Sequence, residues 1–76
     1  MTSNDNRRSD FEDRIVADPD VLAGKPVIKG TRISVSMILG LVAHGVTFDE
    51  IIEDYPELTA DDIRAAILYA DAQLPG

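Results

Sequence analysis

Gly24-Lys25-Pro26-Val27-Ile28-Lys29-Gly30-Thr31-Arg32-Ile33-Ser34-Val35 holds two glycines, one proline and three cations, and it contains no acid. Val27-Ile28 and Ile33-Ser34-Val35 are short β-prone runs on either side of Lys29-Gly30-Thr31-Arg32, where Gly30 can take the positive φ of a tight turn. The stretch reads as strand, turn and second strand, and it delivers the chain into the first of three helices. An expected fold follows: α+β, mostly α, with a β segment over residues 14–35 and three helices over residues 36–74.

Upstream, residues 1–13 mix charges with small polar groups around one apolar side chain, Phe11. Such a segment buries too little surface to offset its ordering entropy, so a disordered tail is expected. Arg14-Ile15-Val16-Ala17 is a short β-prone run ended by Asp18-Pro19-Asp20. Two short strands alone are barely stable in water, which predicts a homodimer in which two chains pair their N-terminal strands.

Downstream the period becomes helical. From Ser36, residues Val35, Ile38, Leu39 and Val42 share a face, and Gly45 after His44 is a natural stop. Thr47 starts the second helix, with Glu50 as capping-box partner and Val46 placed to staple Ile51, before Pro56 ends it. Phe48, Ile51, Ile52 and Tyr55 form its apolar face. Thr59 and Asp62 repeat the start signal for a third helix, whose apolar stripe is Ile63, Ala66, Ile67, Ala70 and Leu74. About four residues join the second helix to the third, the spacing of a helix-turn-helix.

Composition excludes several function classes. The chain of 76 residues has no cysteine and one histidine, His44, so disulfides, thiolate metal sites and imidazole clusters are out. No apolar run approaches the ~20 residues of a membrane span, and the N-terminus has no signal-peptide core, so a cytoplasmic protein is expected. No cofactor is expected either. Ser34, Ser36, Thr31 and Thr47 have no histidine nearby in sequence, and Asp61 and Asp62 diverge by about 100° on a helix. No Walker-type spacing surrounds Gly24 to Gly30. The expectation is a protein that binds rather than catalyses.

Charge is unevenly spread. The net charge of −7 comes from residues 47–76, which carry eight acids against Arg64, whereas residues 1–46 balance six acids with six bases. A polyanion therefore has to approach through Lys25, Lys29, Thr31 and Arg32. A conventional recognition helix is disfavoured, because Thr59, Ala60, Asp61, Asp62 and Arg64 would bring two carboxylates to the phosphates. The alternative use of the cations is pairing with the acidic helices, within the chain or across a dimer.

These blocks resemble the domain of unknown function 433 family, whose motifs appear as Ile15-Val16-Ala17-Asp18-Pro19, Gly24 to Val35, and Tyr55-Pro56-Glu57-Leu58-Thr59-Ala60-Asp61-Asp62-Ile63. The likeness spans roughly residues 14–72; where relatives often have proline, this chain has Ser34. It implies a homeodomain-like helix-turn-helix behind a short β segment. Several members resemble the antitoxin half of toxin–antitoxin pairs, set against toxins of the PIN-like ribonuclease type. The resemblance thus implies an antitoxin-like protein that neutralises such a toxin and contacts operator DNA. Arg7, Arg8, Phe11 and Arg64 are the candidate toxin-binding residues, an arginine being able to displace the cation of a metal-dependent nuclease. The alternatives are a stand-alone DNA-binding transcriptional regulator and an interaction module without nucleic-acid contact.

Overall fold

A computed structural model describes residues 13–74. Two strands, β1 (Ile15–Val16) and β2 (Val27–Ile28), pair antiparallel with Ile15 opposite Ile28 and Val16 opposite Val27. Beyond the turn the chain returns along the other side of β2. There the Ile28 N–H donates to the Ile33 carbonyl at 3.0 Å, and the Val35 N–H to the Pro26 carbonyl at 2.9 Å.

The expected second arm over Ile33-Ser34-Val35 shrinks to a single bridge between Val27 and Ser34. The reason is local. The Ser34 hydroxyl accepts from the Met37 N–H at 3.1 Å, which makes Ser34 the N-cap of α1 (Val35–Ala43). The helix therefore begins at Val35, one residue before the expected Ser36, and one serine both closes the ribbon and opens the helix. The partner of Ile15-Val16 within the chain is β2, a pairing that no local pattern in the sequence announces.

The two later helices form as their start signals predict. α2 (Phe48–Asp54) and α3 (Ala60–Gln73) each carry a complete capping box, Thr47 with Glu50 and Thr59 with Asp62. Gly45 follows the end of α1 with φ 87°. α1 and α2 both pack against α3, and β1 touches α3 as well. Ile15, Ile28, Ile33, Val35, Ile38, Ile51, Leu58, Ile63, Ala65 and Ala66 form one buried cluster where these elements meet.

Leu74 departs from the expected stripe. α3 ends at Gln73, and Leu74 is 70% exposed. The expected disordered tail over residues 1–13 lies, except for exposed Asp13, outside the described residues, as do Arg7, Arg8 and Phe11. No helix among the described residues is long and apolar enough to cross a membrane.

Candidate nucleic-acid interface

Gly30, at φ 82°, lets the chain reverse after β2, and Thr31 locks the turn. The Thr31 N–H and hydroxyl both donate to the Ile28 carbonyl, at 3.0 and 2.8 Å, while the hydroxyl accepts from the Ile33 N–H at 3.0 Å. Thr31 is half-buried and already engaged, so its part in any interface is to hold the turn. Lys29 and Arg32 flank it, and both are exposed.

Lys25 is exposed too, but the structure does not bring it to the same place. It stands at the opposite end of β2, four residues from Lys29, roughly 13 Å along an extended chain. The cationic island of the sequence therefore becomes one pair at the turn and one separate lysine.

The helices do not absorb these charges. Among the described residues the ion pairs within 4.0 Å join Arg14 to Asp62 (2.9 Å) and to Asp61 (3.8 Å), and Arg64 to Asp61. Lys25, Lys29 and Arg32 appear in none of them. The expected alternative, cations spent on the acidic helices within the chain, applies to Arg14 and Arg64 instead. Arg64 is exposed and held by a neighbour one turn away on α3.

Asp62 is buried and doubly used: one carboxylate oxygen accepts from the Thr59 N–H at 3.0 Å, the other from Arg14 at 2.9 Å. The first turn of α3 is thus closed by its own cap and by Arg14. Nothing local in the sequence signals the Arg14–Asp62 contact, because the two lie 48 residues apart.

Two concavities adjoin the cations. A cleft of about 530 Å³ lies beside the turn, lined by Val16, Asp18, Val21, Val27, Gly30, Thr31, Arg32 and Glu57. The carboxylates of Asp18 and Glu57 share that cleft with Arg32. An apolar groove of about 500 Å³ lies beside Lys25, between the start of α1 (Val35, Ser36, Leu39) and the end of α3 (Tyr69, Ala70, Gln73, Leu74). The exposed carboxylates Asp49, Glu50, Glu53 and Asp54 sit on α2, and Glu57 follows in the next loop.

His44 and Thr47 have structural uses. The His44 Nδ1 lies 2.7 Å from the Gly40 carbonyl at the end of α1, and Thr47 is occupied as a cap. No group of three or more His, Cys, Asp or Glu able to hold a metal occurs among the described residues.

Comparison with known proteins agrees with this architecture. The crystal structure of a DUF433 member protein from Anabaena variabilis ATCC 29413 superposes with a TM-score of 0.76 at 30% identity, over 93% of this chain and 70% of that one. A protein described as "Uncharacterized protein y4eO" from Sinorhizobium fredii (strain NBRC 101917 / NGR234) is 40% identical over 58 residues. That match takes in 76% of this chain and only 26% of the relative, so the chain spans about a quarter of its length. The model of the family described as "Protein of unknown function (DUF433)" matches residues 15–70, most of the chain, with the β segment and nearly all of the three helices inside it. The chain belongs to the DUF433 family.

Proposed function

We propose that this chain is an antitoxin-like binding protein that holds a PIN-like ribonuclease in check and contacts operator DNA through Lys29 and Arg32, with Lys25 as an outlying contact. The observation that carries the reading is the division of labour among cations. Arg14 and Arg64 pair with α3, while Lys25, Lys29 and Arg32 stay exposed outside every ion pair among the described residues. Exposed cations on a turn braced by backbone hydrogen bonds suit phosphate contact, because the frame is ordered before binding.

The exposed acids of α2 support the other half of the reading. A nuclease that handles RNA carries a basic surface, and complementary charge speeds and orients its docking. Arg64, on α3, is the described candidate for contact with the nuclease's acidic centre.

The test is capture followed by inhibition. The tagged chain is used to draw partners from its native lysate, and any small nuclease recovered is assayed with and without stoichiometric purified chain. The expected outcome is a stoichiometric PIN-like nuclease whose RNA cleavage stops when the chain is added. A nuclease that stays fully active in the complex, or no such partner, overturns the antitoxin reading. The stand-alone regulator then remains, carried by the same three cations.

A further inference from the structure

We infer that the free edge of β1 is a self-association surface, on which a second copy of this chain pairs antiparallel in a register centred on Ile15. The inference rests on the strand edge and stands whether or not the chain binds a nuclease or DNA.

β1 is an edge strand, with β2 on one side only. The Lys29 N–H donates to the Arg14 carbonyl, whereas the Ile28 N–H turns the other way, to Ile33. In an antiparallel ladder, hydrogen-bonded and non-hydrogen-bonded pairs alternate, so Ile15 and Ile28 form a non-hydrogen-bonded pair. The N–H and C=O of Ile15 therefore point off the open edge. Neither has a partner among the described residues, although Ile15 is only 9% exposed. A strand edge that presents an unpaired donor and acceptor is a template for pairing with another chain.

A second copy supplies one with exact reciprocity. If the two-fold axis passes by Ile15, each Ile15 N–H meets the other's carbonyl, and both orphan pairs are satisfied at once. Charge and proline select this register over its neighbours. Centred on Ile15, the pairing sets Asp13 against Ala17 and Arg14 against Val16, so no like charges are opposed within residues 13–17. Centred on Asp13, it sets two carboxylates face to face, which destabilises a cross-strand pair. Centred on Ala17, it brings Pro19, which has no N–H, opposite Ile15. Asp13 and Ala17 are both exposed, so the edge on either side of Ile15 is open to an incoming strand.

The pairing has a geometric consequence. It joins two β1–β2 ribbons into one sheet with the helices of both copies on the same face. The two Lys29 positions then share the opposite face, three strand spacings and two residues apart, roughly 16 Å.

The test combines mass with amide exchange across a dilution series. Light scattering is expected to give a dimer that dissociates on dilution. The Ile15 amide should gain protection with concentration, while the Val16 amide, already bonded within the chain, should not. Ala17→Asp places a carboxylate opposite Asp13 twice per dimer and should weaken dimerisation about tenfold. Adding Asp13→Lys to that variant should restore it. Circular dichroism melts of both variants check that the monomer fold persists, Ala17 and Asp13 being surface residues. A chain monomeric throughout overturns the inference. So does a dimer whose Ile15 amide exchanges freely, or one indifferent to both substitutions.

Discussion

One residue, Asp62, ties the first strand to the last helix. Its carboxylate caps α3 at Thr59 and receives Arg14 at 2.9 Å, and its own N–H donates to the Thr59 hydroxyl at 3.1 Å. Asp61, next to it, is largely exposed, and its pair with Arg64 is a surface contact. The two adjacent carboxylates therefore differ sharply in what their loss costs. Asp62→Ala removes a capping box and leaves a half-buried arginine with only a distant partner, and should destabilise the fold by about 2 kcal/mol. Asp61→Ala should change stability by less than about 0.5 kcal/mol. Urea denaturation of the two variants checks this; equal losses would mean that Arg14 contributes nothing to holding β1. The capping half of Asp62 was legible in the sequence, because Thr-x-x-Asp before an apolar run is a local signal. The Arg14 half was not, since 48 residues separate the partners and the side chain that joins them is chosen by packing.

At the scale of elements, the best-read pieces are those whose cause is local. Both capping boxes and the glycine stop after α1 follow from residues within one turn of each other. The loop before Lys25 has no such signature. Leu22, Ala23 and Gly24 form a single 3₁₀ turn with φ of 50°, 58° and 85°, a left-handed run in which only the glycine is at home. The Lys25 N–H donates to the Leu22 carbonyl at 3.2 Å and closes it. Leu and Ala announce nothing of this in the sequence. Strain of this kind is relieved by glycine. Ala23→Gly should raise stability by about 0.5 kcal/mol, the left-handed penalty outweighing glycine's entropy loss. A thermal melt decides the sign, and a lowered Tm would place the strain on Leu22 alone.

For the whole molecule the governing fact is a charge distribution that folding sharpens. The acids of α2 stay exposed, Arg14 and Arg64 pair with Asp61 and Asp62, and the cations outside ion pairs among the described residues fall at the two ends of β2. The sequence shows the basic stretch but does not divide it, because twelve consecutive residues look like one patch until a strand stretches them apart. That division sets what DNA binding must look like. Lys29 and Arg32 flank one turn and can reach the same backbone, whereas Lys25 is roughly 13 Å away and contacts it only if the duplex follows β2. Each phosphate contact adds about 0.9 to the slope of log affinity against log salt. Lys29→Ala with Arg32→Ala should therefore lower that slope by about 2 per chain, and Lys25→Ala by about 1 or less. Affinity for the free chain should be weak, since a net charge of −7 repels the duplex. Binding a basic partner on the acidic α2 face removes that repulsion, so the same titration with the partner present should show tighter binding that still depends on Lys29 and Arg32. A salt slope untouched by the double substitution would remove the turn from the interface and leave the acidic face as the chain's working surface.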